Sequence, residues 1–192
     1  MSIFDFVSVM FSIIVGLSFA QLVGGIAGLF RSEARTTPYA PVVLWVCMLI
    51  FTHFLLWWSF WDYREVEWNF LRFLVGSGQA IILLLLSELI LPRKADGPSI
   101  DLEQHFFRVR PILMGAYSVL VIIFIIDGPF VFRSESFWNI YRIPQSVLLG
   151  AALTGLVVKK SAPHVAISAV LLAALVFGSG FRFLPGGVGI LD

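Results

Sequence analysis

Six stretches of the chain, at about residues 3–30, 41–62, 68–92, 108–127, 138–158 and 163–183, are each apolar over the roughly 20 residues that a helix needs to cross a bilayer. The connections are short, the longest running from Pro92 to about Arg108, which leaves no room for a soluble domain. Only 13% of the 192 residues are charged and 59% are hydrophobic, against roughly a quarter charged in soluble domains. The expectation is an all-α integral membrane bundle of six transmembrane helices, forming one transmembrane domain over residues 1–192. The first stretch has no Lys or Arg ahead of it and no small-residue cleavage site near its end, so it reads as a retained span.

Within that first stretch every fourth residue is small: Ser8, Ser12, Gly16, Ala20, Gly24 and Gly28. Residues i and i+4 share a helix face, and small-xxx-small stripes let helix backbones approach closely in lipid. The spacing therefore predicts that the first helix is the hub of the bundle, packed against several neighbours. Gly150, Gly155, Ala169, Ala173, Ala174 and Gly178 give the fifth and sixth helices small faces as well, which points to a homo-oligomer.

Orientation follows from Lys and Arg. One side receives Arg31, Arg35, Arg93, Lys94, Arg108, Arg110, Lys159 and Lys160; the other receives the smaller set Arg64, Arg72, Arg133, Arg142 and Arg182. The positive-inside rule places the first set in the cytoplasm and both termini outside. The outer side also carries Asp5, Asp62, Glu65, Glu67, Asp127, Glu135 and Asp192, and a belt of Trp57, Trp58, Trp61, Tyr63, Trp68, Trp138 and Tyr141. The net charge of +1 and the lack of a basic stripe exclude a nucleic-acid footprint.

Trp68-Asn69-Phe70-Leu71-Arg72 recurs as Trp138-Asn139-Ile140-Tyr141-Arg142, and the same offset carries Pro41 onto Pro111, Phe60 onto Phe130 and Glu65 onto Glu135. Helices 2–3 and 4–5 then read as a duplicated hairpin in one orientation. The plainer reading is that Pro starts and Trp rims are common to membrane helices. Pro41, Pro111 and Pro163 are placed at the starts of their helices, where the missing N–H costs nothing. The Pro92–Arg108 loop reads either as an extended connector or as a short interfacial helix from Ile100, capped by Ser99, with Phe106 and Phe107 facing lipid.

Polar groups inside hydrocarbon are costly and are candidates for function. Counted from the segment ends, His53 and Gln79 fall near mid-membrane, with Gln21, Gln145 and Thr154 within about two turns of it. With Ser18 and Thr52 they make either a convergent polar site or ion path, or a set of interhelical hydrogen bonds. At the outer rim Arg72 and Arg142 lie one turn inside Trp68 and Trp138, at the depth of Asp5, Asp62 and Asp127. Ion pairs such as Arg72 with Asp5 or Asp62 would tie helix ends together; alternatively the arginines bind an anionic ligand or headgroup. Glu88 is placed to pair with Arg93 or Lys94. Cys47 reads as a small core residue. His105 and His164 sit at another depth from His53, so neither a bis-histidine haem nor a tetrahedral zinc set is available; a single-His or His/Met haem site, with Met10 or Met48, has no positive support, and no cofactor is expected. No hydrolase motif or phosphate-cradling glycine loop is present.

The opening S-I-F-D-F-V-S-V-M-F-S-I-I-V-G-L-S-F-A-Q-L and the T-H-F-L-L-W-W-S-F-W-D-Y-R stretch from Thr52 to Arg64 resemble a group of small bacterial polytopic membrane proteins with a Gly-containing first helix and a His/Trp-rich second one. The resemblance implies the bacterial inner membrane and brings no assigned activity. Taken together, the residues point to a non-enzymatic channel-, transporter- or receptor-like module whose path runs by His53, Gln79, Gln21 and Gln145. A structural subunit that binds another membrane protein is the alternative from a different class. A membrane enzyme or redox protein has no visible catalytic constellation behind it.

Overall fold

The computed structural model describes residues 2–93, 99–133 and 136–183, the last three by backbone alone. Lys94, Glu135, Asp192 and the side chain of Arg182 therefore lie outside the described residues. The chain is an all-α bundle: α1 Ile3–Arg31, α2 Ala40–Phe60, α3 Phe70–Leu89, α4 Leu102–Ile126, α5 Arg142–Val157 and α6 Ser161–Phe183. Successive helices run up and down, so one end carries the Trp-rich segments and the other the larger set of cations. Among the described residues, five helices are long and apolar enough to cross a membrane. The sixth expected span is not: α5 has 16 residues, or about 24 Å against a hydrocarbon core of about 30 Å. It starts at Arg142 rather than near 138 because Phe137 to Tyr141 run through bends and turns.

Packing closes a ring in the order α1, α3, α4, α5, α6, α2, with α2 also touching α3 and α4 across it. Trp45 of α2 meets Tyr117 of α4 edge to face, ring centroids 5.2 Å apart, amid buried Met48, Leu49, Leu83, Leu86, Leu113 and Met114. The expectation that α1 is the hub is overturned. It packs along α3 and, less, against α2, through Val7, Phe11, Val15, Ser18 and Leu22. The large residues at those positions bury more apolar surface than the stripe of small ones, which is turned the other way. Gly16, Ala20, Gly24 and Gly28 are exposed and Ser12 is half-buried, and a Cβ added at Gly16, Gly24 or Gly28 would meet nothing within 4 Å. The glycine that does admit a neighbour is Gly25, where an added Cβ would come 3.1 Å from Leu91.

The described part of the Pro92–Arg108 loop from Ser99 onwards is neither connector nor separate interfacial helix. Ser99–Asp101 is a strand, β2, paired in parallel with β1, Arg35–Thr37, and α4 begins at once behind it. Asp101, not Ser99, is the cap: its carboxylate accepts from the amides of Glu103 and Gln104. The earlier start carries Phe106 into the core, wholly buried, rather than to lipid, and puts Pro111 inside α4 instead of at its beginning. Cys47 is likewise exposed, not a core residue.

The repeated Trp-Asn-x-x-Arg motif keeps one geometry twice. Arg72 donates to Glu67 O, five residues back, and across to Val131 O, 2.9 Å away. Arg142 donates to Phe137 O, also five residues back, at 2.8 Å, and reaches Phe124 O of α4 at 3.5 Å. The hairpins around the motifs differ: α4 packs closely along α5, while α2 and α3 touch only lightly. Asn69 caps α3 through the amide of Arg72, whereas Asn139 donates to Ser136 O and α5 starts later.

Candidate functional site

Two polar assemblies occupy the interior, and they are separate. The first joins α1, α2 and α3. His53, 2% exposed, places Nδ1 2.7 Å from Leu49 O. A carbonyl only accepts, so Nδ1 carries the proton and Nε2 of the neutral ring accepts from the Ser18 hydroxyl at 2.7 Å. Ser18 then receives the Ser87 hydroxyl at 3.1 Å. Phe19 covers the ring edge to face. Both imidazole nitrogens are thus engaged, in a closed seam of hydroxyls that stitches three helices.

The second assembly lies towards the Trp-rich end, where α4 is interrupted and α5 starts late. Pro129 has no N–H to continue α4, and over Asp127–Phe132 the helix widens to π geometry, a form that recurs at functional sites. Arg133 ends the turn in the left-handed region, φ 56°. Asp127 heads that turn. Its Oδ1 accepts from the Gly128 amide at 2.6 Å and its Oδ2 from Gln79 Nε2 of α3 at 2.5 Å. Asp127 is 5% exposed and Gln79 3%. On the α5 side Gln145 donates to Phe124 O at 3.2 Å and its own oxygen accepts from Arg142 at 2.6 Å.

Between these groups is a cavity of about 140 Å³, lined by Thr52, Ser59, Gln79, Asp127, Tyr141, Gln145, Leu148 and Ser179 among others, with residues from every helix but α1. Its size admits several waters or one small solute. Irregular backbone inside a membrane bundle is tolerated where it lines a cavity, and here the π turn and the delayed start of α5 supply it.

The sequence-derived path therefore divides. Gln79 and Gln145 reach the cavity, as does Thr52. His53 belongs to the buried seam with Ser18. Gln21 is exposed on α1, and Thr154 is exposed and bonded to Gly150 O in its own helix. The rim divides too. Arg72 spends its guanidinium on carbonyl oxygens rather than on Asp5 or Asp62, because the broken end of α4 leaves Val131 O within reach. Asp5 turns back to the chain start, where it forms a capping box with Ser2; Asp62 follows α2 in a short 3-10 turn and is exposed. Asp127 is the member of this group that enters the cavity, and Arg142 stands beside it through Gln145. Glu88 forms the expected ion pair, with Arg93, and that contact raises the Arg93 pKa above its ordinary value. The partnership of Asp127 with Gln79 was missed from sequence; the signal available was Asp-Gly-Pro, a helix break at the end of an apolar run.

Compared with known proteins, the chain matches no family model, no curated protein and no solved structure.

Proposed function

We propose that this integral membrane protein is a non-enzymatic solute-handling module of the transporter or receptor type, and that its site is the cavity lined by α2 to α6. One observation carries the reading: an acidic residue, Asp127, 5% exposed and hydrogen-bonded to Gln79, on the wall of a cavity inside an apolar bundle. Ionisable groups at such depth are costly, and they are retained where they meet a solute, an ion or each other. The interruption of α4 at the cavity supports the same reading, since interrupted spans are where transporters build their sites. The uneven distribution of Lys and Arg, with the likeness of the first two helices to small bacterial membrane proteins, supports an inner-membrane location with the Trp-rich end outside.

Cysteine accessibility tests it. In a Cys47→Ala background, Ser179→Cys at the cavity and Leu83→Cys in the dry core are exposed in membranes to a charged, water-soluble thiosulfonate. The reading predicts rapid modification of the first and none of the second, from one side of sealed vesicles. Equal inertness would show that water does not reach the cavity and would contradict it.

A second reading, a structural subunit that docks through α1, is favoured by the outward stripe Gly16-Ala20-Gly24-Gly28 and by Gln21, a carboxamide on the exposed side of a membrane helix. Such faces associate by close backbone approach and interhelical hydrogen bonds, and a second copy or another membrane protein would cover this one. Crosslinking through Gly24→Cys in membranes separates the two: a specific dimer or heteromer supports docking, and a monomer throughout removes it.

A further inference from the structure

Arg110 lies in the N-terminal half of α4, at the cation-rich end of the bundle and so at the other end from the cavity. It is 8% exposed. A cation buried to that degree is ordinarily paired with an acid. Among the described residues no carboxylate forms an ion pair with Arg110. Its Nη1 donates to Val158 O, in the turn between α5 and α6, and its guanidinium stands 5.4 Å from the centroid of the Phe107 ring. His164 Nε2 lies 2.9 Å from the same carbonyl, so Val158 O serves two donors. Arg110 Nε is enclosed without an acceptor. Nη2 has no acceptor either, but it is not enclosed, and it is the part of the guanidinium left open to a ligand.

The turn that Arg110 reaches gathers more positive potential. Lys159 and Lys160 are exposed there, and neither forms an ion pair among the described residues. α6 begins directly behind them at Ser161. A lysine side chain has donors and no acceptor, so Lys160 cannot cap the helix, and the first amides of α6 and the positive end of its dipole face the turn. Tyr39 ties this turn to α2, its hydroxyl 3.0 Å from Ser161 Oγ. Glu103, whose charge is felt at Tyr39, is exposed and forms no ion pair among the described residues. The plainer role for Arg110 is to cap the last carbonyl of α5, as cations at helix C-termini do. That role uses one amino group and leaves Nη2 and both lysines over.

We infer that the α5–α6 turn binds a phosphate group of net negative charge, through Arg110 Nη2, the ammonium groups of Lys159 and Lys160 and the first amides of α6. Guanidinium groups and helix N-termini both match phosphate oxygens. The turn stands at the edge of an apolar bundle, where such a phosphate arrives on an anionic lipid headgroup or from solution. Basic pockets at the ends of membrane helices take lipid headgroups.

Full-length protein in maltoside micelles, which carry no phosphate, is unfolded thermally at fixed ionic strength. The probes are dihexanoylphosphatidylglycerol, dihexanoylphosphatidylcholine, inorganic phosphate and acetate. A ligand that binds the native state raises Tm saturably. The expected result is a saturable rise with phosphatidylglycerol or inorganic phosphate, and none with phosphatidylcholine or acetate. A rise with phosphatidylglycerol alone assigns the phosphate to lipid; a rise with inorganic phosphate over the same range assigns it to solution. Arg110→Gln weakens the apparent affinity by about tenfold or more, as loss of a buried charge partner does. Lys159→Gln combined with Lys160→Gln weakens it too, and carries the test if Arg110→Gln does not fold. Arg108→Gln, which removes the same charge from another face of α4, leaves it unchanged. An equal loss in Arg108→Gln would mean a diffuse field in place of a site. That result, an equal rise with acetate or phosphatidylcholine, or no rise that depends on Arg110 or the two lysines would overturn the inference.

Discussion

Gln79 Nε2 and Asp127 Oδ2 lie 2.5 Å apart, so that a mid-helix carboxamide of α3 holds the carboxylate at the broken end of α4. The contact fixes the depth and direction of the acidic group in the cavity. Without that donor the carboxylate loses a charge-assisted bond, and such bonds contribute about 1.5–3 kcal/mol. Gln79→Leu is expected to destabilise the protein by about that amount in denaturant titrations from mixed micelles. Asp127→Asn, which keeps an acceptor for Gln79, is expected to cost less. The reverse ranking would mean that the carboxylate is held by other groups.

His53 is bonded to Ser18 and Leu49 O and is not among the residues that line the cavity. Interhelical hydrogen bonds in membranes average about 0.6 kcal/mol and reach about 1.7, so a double-mutant cycle between Ser18→Ala and His53→Leu is expected to give a coupling in that range. The same His53→Leu should leave solute binding in the cavity unchanged. A loss of binding in a variant that is still folded would bring His53 back into the site.

Gly155 and Gly178 both sit at close helix contacts, with unlike tolerance. An added Cβ at Gly155 would lie 2.7 Å from Met114 Sδ, at the end of a flexible side chain that can move aside. At Gly178 it would lie 2.9 Å from Cβ and Cγ of Pro144, a ring with nowhere to turn. Overpacking costs about 1–3 kcal/mol, and replacing a helical Gly by Ala returns up to about 1. Gly155→Ala is therefore expected to be near neutral, while Gly178→Ala lowers Tm and constricts the cavity that it borders. Equal Tm values would show that α5 and α6 can slide.

What was legible in the sequence, and what was not, divides along physical lines. Apolar length is a local property, so the long helices and their up-and-down order could be read directly. The failures came where rotation about a helix axis decides. The small stripe of α1 was visible, but that it faces outward depends on Phe11 stacking against Phe60 of α2, centroids 4.0 Å apart, a long-range contact that spacing does not contain. Gln79 and Gln145 were picked by depth and did meet one cavity, whereas Gln21 shared their depth range and points away. Asp127 was placed at the rim because its helix was expected to end there. The π turn instead tips it inward, and Gly128-Pro129 was the local cue. For Phe106 the misleading assumption was the helix start: once β2 pairs with β1, α4 begins at Leu102 and its first turns join the core.

The measurement that bears most directly on the central claim is a cryo-EM map of the full-length protein in nanodiscs, read at the space between Asp127, Gln79, Gln145 and Ser179. The account predicts an open cavity there with ordered water or solute density against Asp127, and dry packing around His53. Leu148 and Leu175 closed over Asp127, with no space left between α2 and α5, would contradict it.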